Sequence, residues 1–227
     1  MKNFAVSPVF MLLGLLFCTC LMLSNLMAVK LFQFGPIALP AAVIIFPLSY
    51  IINDCISEIW GYRRARLIIW LGFAMNFLMV VVSQIALALP SAPFWDGAEH
   101  FHYVFGLAPR LAFASFTAFL AGSFMNAYVM SRMKVASRGR HFSARAILST
   151  VLGEGVDSLI FFPLAFGGTM PPVAMLTMML GQVTLKTLYE ILILPVTVRV
   201  VEYVKRVEGA DVYDEHISYN ILRIREI

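Results

Sequence analysis

Three groups of ionisable residues stand inside apolar stretches of this chain, each with helical spacing. Tyr50, Asp54 and Glu58 recur every four residues, with Asn53 beside them. Glu154, Asp157 and Ser158 follow one another within little more than a turn, with Phe161 further along the same face. Gln182, Lys186 and Glu190 again recur every four. Steps of three or four put side chains on one face of a helix. A carboxylate accepts two N–H groups side by side, an amide offers one acceptor and one donor group, and a lysine supplies a cation. Such a set can line a polar cavity that takes up a proton or a positive or hydrogen-bond-donating partner, and it is expensive in lipid. A mid-membrane Asp, Lys or Arg costs roughly 2.5–3.5 kcal/mol on a translocon scale.

Depth brings the groups together. Asp54 is nine residues before Arg63, and Glu154 is nine after Arg145. Each therefore lies about 13 Å inside the same end of its helix at 1.5 Å per residue. Lys186 is 14 residues past Pro172, about 21 Å from the opposite end. Asp54, Glu58, Glu154, Asp157 and Glu190 then face one base, Lys186, with a formal sum of −4. A low-dielectric site holds that only if some carboxyls are protonated, hydrated or partnered by something positive. The alternative is that these groups only tie helices together, at about 0.6–2 kcal/mol per contact. Three stripes at one depth favour a polar cavity. Glu58, beside Trp60, also reads as an interfacial residue.

The elements that must position these stripes follow from composition. Of 227 residues, 60% are hydrophobic and only 13% charged, about half the charge of a soluble domain. The mean hydropathy of +0.84 excludes both a soluble enzyme and a disordered chain. Six apolar runs, about 9–32, 36–60, 65–90, 107–131, 146–168 and 171–201, each exceed the ~20 residues that cross a bilayer. Lipid offers no partner to backbone groups, so such runs span as helices. The expected fold is all-α: six transmembrane helices in one bundle over residues 1–206, with a cytoplasmic tail at 207–227. The tail mixes acids, bases and apolar residues, and packs on the bundle or stays partly disordered.

The excess of bases (17 Lys and Arg against 13 Asp and Glu) is read as topology rather than as nucleic-acid binding. Fourteen of the 17 lie before the first run, between the second and third, between the fourth and fifth, or after the sixth; Lys30, Arg110 and Lys186 are the exceptions. The positive-inside rule places both termini in the cytoplasm. Trp60, Trp70 and Trp95 fall near run ends, as in an aromatic belt. The outer loop at 91–108 carries Asp96, Glu99, His100 and His102, whose spacing could ligate a metal, but loop polarity is the commoner reading and no metal is assigned. Cys18, Cys20 and Cys55 lie in apolar runs and read as buried small hydrophobes. The first run lacks a small-x-small cleavage site and reads as a retained helix. In it, Asn25 needs a partner and Lys30 can snorkel. Arg110 enters the fourth run as an anchor or a site residue. Asn76, Gln84 and Asn126 read as helix glue. Gly153, Gly155, Gly167, Gly168 and Pro163 could bend or interrupt the fifth helix, a transporter device, or answer only to packing. Long apolar faces bearing Gly and Met favour pairing with a second copy.

The stretches SNLMAVK (24–30), NDCISEIWGYRRAR (53–66), RLAFASF (110–116), GEGVDSLIFFPLAFGG (153–168) and GQVTLKTLYEILILP (181–195) together resemble the queuosine precursor transporter family, also called the vitamin-uptake transporter family. The resemblance runs from about residue 10 to residue 215. It implies a bacterial inner-membrane importer of 7-deazaguanine bases for tRNA modification, with a fold related to the substrate-binding subunits of energy-coupling factor transporters. The purine-like ligand then needs the polar set Asn25, Asp54, Glu154, Asp157, Gln182, Lys186 and Glu190, with Tyr50, Phe161 and Trp60 as flat walls. An aminomethyl precursor would add a positive charge that an acidic site favours.

Two other functions stay open. An energy-coupling factor subunit would need a separate ATPase module. An intramembrane enzyme could use the paired carboxylates of the second and fifth helices to hold a Mg²⁺-diphosphate. Six helices are few for that fold, and no nucleophile elbow, HExxH or P-loop is present, so neither a catalytic residue nor a cofactor is assigned.

Overall fold

The computed structural model describes residues 7–34, 37–106, 109–168, 171–215 and 217–222. Lys2, Pro36, Arg223 and Arg225, and the side chain of Arg110, lie outside the described residues. Among those described, the chain forms α1 (Pro8–Met27), strands β1 (Leu31–Phe34) and β2 (Ile37–Pro40), a 3₁₀ turn at Ala41–Ile44, α2 (Phe46–Trp60), α3 (Tyr62–Ala88), α4 (Ala98–Phe105), α5 (Pro109–Ala136), α6 (Phe142–Phe166) and α7 (Pro172–Glu208). The helical bundle expected from the apolar runs is present.

Local chemistry explains the boundaries. α1 opens with Pro8, whose missing N–H is no loss in a first turn, and Ser7 caps it by accepting from the Phe10 N–H at 3.2 Å. The second run, expected to be one helix over 36–60, is divided. Its first part forms an antiparallel hairpin in which Leu31 pairs with Pro40 and Phe34 with Ile37. Pro40 and Pro47 lack N–H groups and restrict the residue before them, so α2 begins only at Phe46. Gly61 sits at φ +81°, a conformation glycine adopts without strain. The chain can thus leave α2 and start α3 with no loop between.

Among the described residues, five segments are long and apolar enough to cross a membrane: Pro8–Met27, Ala41–Trp60, Tyr62–Ala88, Phe113–Ala136 and Phe142–Phe166. This is a multi-pass membrane protein. The sixth expected span, α7, has 37 residues and is not one of these five; Gln182, Lys186 and Glu190 occupy its middle. Large apolar side chains such as Leu12 and Leu15 on α1, Leu78 and Ile85 on α3, and Leu188 and Leu192 on α7 are exposed, as the lipid-facing surface of a bundle must be.

Short α2 is the centre. It packs on α1, α3, α5 and α7 and touches α6, and almost every residue from Pro47 to Trp60 is buried. α5 and α6 form the closest pair. They cross at Gly122 and Gly153, where a Cβ on either glycine would lie 2.9 Å from the other's carbonyl oxygen. Gly153 of the fifth run thus serves a close crossing, and α6 is continuous through Gly153, Gly155 and Pro163. Trp60 lies in the core, edge-on to Phe10 at 5.2 Å between centroids. It is buried there rather than exposed at a helix end.

The tail folds back over the ends of α2, α3 and α5. The Val212 N–H donates to the Ile59 carbonyl at 3.1 Å. Asp214 accepts from the Tyr62 N–H at 2.7 Å and the Ser131 hydroxyl at 2.5 Å. Arg66 and Trp70 donate to the carbonyls of Asn220 and Ile221. The tail is therefore packed on the bundle as far as Ile221.

Candidate functional site

Helices α2, α6 and α7 bring their stripes face to face. Lys186 Nζ donates to Glu154 Oε2 at 2.5 Å, and both side chains are buried. The same ammonium lies 4.0 Å from the centroid of the Phe46 ring, a cation–π contact in a desolvated place. Asp157, 6% exposed, lies within the field of Lys186 and of Glu154. Asp54, 1% exposed, accepts from the Ser149 hydroxyl at 3.4 Å and faces the Glu190 carboxyl. Tyr50 projects its hydroxyl toward the crossing of α5 and α6, near Asp54, Glu154 and Asp157.

Seven polar atoms of this region are buried without a hydrogen-bond partner: Tyr50 Oη, Asp54 Oδ2, Thr150 Oγ1, Glu154 Oε1, Ser158 Oγ, Thr187 Oγ1 and Glu190 Oε2. Each such group costs about 1–3 kcal/mol, and native structures leave few of them. Their concentration between three helices marks a place whose hydrogen-bonding capacity the protein itself does not use. Four acids there face one base, a formal −3.

The fifth acid, Glu58, is not part of this set. Its carboxylate is gripped by Arg145 of α6 and bonded by Lys205 of α7 at 2.6 Å, with Lys134 of α5 at 4.0 Å. The expectation of an interfacial residue beside Trp60 gives way to a buried one. Three basic residues close around it because α5, α6 and α7 end at its level, and Asp211 of the tail completes the network by bridging Lys134 and Lys205 at 2.5 and 2.9 Å.

The remaining candidates are dispersed. Asn25 donates to Asn76 Oδ1 at 2.6 Å, tying α1 to α3. Phe161 packs edge-on against Phe162 and Phe166 of its own helix. Gln182 is half-buried on α7, one turn from Lys186. Asn126 accepts from Asn53 at 2.9 Å between α5 and α2, and Gln84 donates to the Phe105 carbonyl at 3.0 Å. Lys30 is exposed. Between α3 and α5 no three His, Cys, Asp or Glu side chains gather as metal ligands would, nor do they elsewhere among the described residues.

Sequence reasoning missed Phe46, Ser149 and Gly122. Two of them carried a signal. Phe46 extends the Tyr50–Asp54–Glu58 stripe by one more step of four, and Ser149 lies midway in Arg145–Ser149–Gly153–Asp157, also stepped by four. Gly122 had none, because its use depends on which helix crosses it.

Residues 40–200 match the family described as "Putative vitamin uptake transporter". The chain is 25% identical over 173 residues to the "Probable queuosine precursor transporter" of Bacillus subtilis (strain 168), covering 76% of each protein. It is 28% identical over 121 residues to the "Queuosine precursor transporter" of Escherichia coli (strain K12), covering 53% of this chain and 52% of that protein. A "Probable queuosine precursor transporter" of Haemophilus influenzae is 27% identical over 121 residues, covering 53% of this chain and 49% of that protein. The similarity thus spans about half the length of the last two relatives. No solved structure matches.

Proposed function

Because the chain belongs to the "Putative vitamin uptake transporter" family, a family of transporters and not of enzymes, we propose that it imports queuosine precursors. The substrates are 7-deazaguanine bases, 7-cyano-7-deazaguanine and its 7-aminomethyl analogue, and the site is the buried polar region between α2, α6 and α7. The names of the three relatives support the substrate class. The observation that carries the site is the Lys186–Glu154 pair, buried among polar atoms without partners.

The chemistry fits a 7-deazaguanine. Its Watson–Crick edge presents adjacent N–H groups, and a carboxylate accepts two. Asp157 and the free oxygen of Glu154 are the acceptors. Lys186 holds Glu154 in place through Oε2 and leaves Oε1 free for the ligand. Gln182 serves the exocyclic oxygen. Tyr50, Phe46 and Phe161 supply flat walls, as ligand pockets commonly do, and Asp54 and Glu190 close the side toward Glu58. Asn25 is assigned to the wall between α1 and α3. Residues 1–206 form the transport unit and 207–227 a cytoplasmic tail. The bilayer is the bacterial inner membrane and both termini are cytoplasmic, as supported by the gathering of Arg66, Lys134, Arg145 and Lys205 at one end of the bundle. The apolar faces favour pairing with a second copy, which a monomeric mass in lipid nanodiscs would disprove.

Uptake of radiolabelled 7-cyano-7-deazaguanine into liposomes holding only this protein tests the function. Uptake should exceed that of empty liposomes, and its absence defeats the proposal. Asp157→Asn replaces one acceptor with a donor that faces the ligand's donors, a loss of about 1–3 kcal/mol, or roughly five- to 150-fold. Glu154→Gln and Lys186→Met should also lower uptake at normal protein levels. If all three variants transport normally, these charges only bind helices together.

A further inference from the structure

The Asp54–Glu190 contact differs from the other ion contacts of the bundle. Glu58 has Arg145, Lys134 and Lys205, and Glu154 has Lys186. No cation contacts Asp54 or Glu190 among the described residues, although the two side chains are 1% and 2% exposed. Their carboxyls face each other. Ser149 donates to Asp54 Oδ1 alone, and Asp54 Oδ2 and Glu190 Oε2 have no donor.

Two facing carboxylates have only acceptors, and like charges at such a distance cannot both persist in a dry place. The missing donor is a proton. The groups around the pair bring no positive charge to replace it: the Thr150 hydroxyl of α6 lies beside Glu190 and the Asn126 amide of α5 beside Asp54, but both are neutral. On α2 the groups are the unpartnered Tyr50 hydroxyl, Cys55 and Glu58, the last engaged by its own cations. On α6 they are Glu154, Asp157 and Arg145, with Arg145 on Glu58. On α7 there is Lys186, turned to Glu154 and Phe46. α5 presents only the Asn126 amide, since its Lys134 lies at the Glu58 level.

We propose that the Asp54–Glu190 pair is a proton-binding site and that the protein couples base import to proton entry. One carboxyl takes a proton from outer water when the site opens outward, and gives it to water when the site opens inward. The proton lowers the charge of the acidic site by one unit while it is closed. This rests on the import reading above for its transport half, but not for the presence of the proton.

Two measurements separate the halves. In proteoliposomes clamped electrically, an inward gradient of one pH unit should raise the accumulation of 7-cyano-7-deazaguanine up to about tenfold for one proton per base. In Asp54→Asn and Glu190→Gln the ratio of uptake with and without the gradient should fall to one, whatever the absolute rate. Wild-type uptake indifferent to the gradient overturns coupling and leaves the import reading intact. Independently of any substrate, infrared spectra of the protein in nanodiscs at pH 7 should show a protonated-carboxyl C=O band. The band should lose intensity in the Asp54→Asn/Glu190→Gln double variant. A wild type without the band, or a double variant with an undiminished one, overturns the proton site even if no base is transported.

Discussion

Arg145 of α6 and Glu58 of α2 form a two-pronged ion pair, each 1% exposed, with Nη1 on Oε2 and Nη2 on Oε1. The planar guanidinium matches a carboxylate in this way and a lysine does not. Its position, one helical turn beyond Asp54 and Ser149, closes the polar region at that end. Lys205 and Lys134 approach the same carboxylate, so four helices meet on a single side chain.

Removing Glu58 should therefore destabilise the bundle more than removing any one of its partners. Glu58→Gln leaves Arg145, Lys134 and Lys205 facing one another, and breaking a buried pair costs about 3–5 kcal/mol. Arg145→Met leaves Glu58 with two remaining cations and should cost less. Thermal unfolding in mild detergent checks the order; equal midpoints for the wild type and Glu58→Gln would show the pair to be dispensable.

The α5–α6 crossing should tolerate no side chain. A Cβ at Gly153 would lie 2.9 Å from the Gly122 carbonyl oxygen and 3.0 Å from the Tyr50 ring. Gly153→Ala should cost about 1–3 kcal/mol by overpacking and displace Tyr50, reducing both melting temperature and base uptake. Gly155→Ala, with nothing within 4 Å of its Cβ position, is the control and should be near neutral.

Tail docking should depend on pH through Asp211. Burial pushes its carboxyl up, but the hydrogen bonds from Lys134 and Lys205 outweigh burial and hold it below the ordinary aspartate range. A carboxyl lowered on folding contributes stability above its unfolded value, and that contribution is lost as pH falls through the folded one. The melting difference between wild type and Asp211→Asn should be constant from pH 7 to about 4 and shrink below. A difference that grows on acidification would contradict the assignment.

Topology gives a direct check of orientation. A reporter fused after Ile227 should be active in the cytoplasm, and one inserted near Gly97, in the segment leading to α4, should be active outside. The reverse pattern would overturn the positive-inside reading and the assignment of the Glu58 end to the cytoplasm.

Sequence alone determined the membrane class, the helices and the shared depth of the stripes on α2, α6 and α7. These are local properties: apolarity sets which segments enter lipid, and the helical period sets which residues share a face. Asp54, Glu154, Lys186 and Glu190 were legible as a set at one depth for that reason. Tertiary structure decided the pairings. Lys186 took Glu154, leaving Asp54 and Glu190 to face each other, because helix rotation at the α2–α6–α7 junction selects one neighbour among several at equal depth. Glu58 left the site for Arg145 and Lys205 because three helix ends and a tail distant in sequence converge there. Asn25 went to Asn76, and Trp60 into the core, for the same reason: a side chain's own helix fixes its height and face, but only the packing of other helices fixes what it meets.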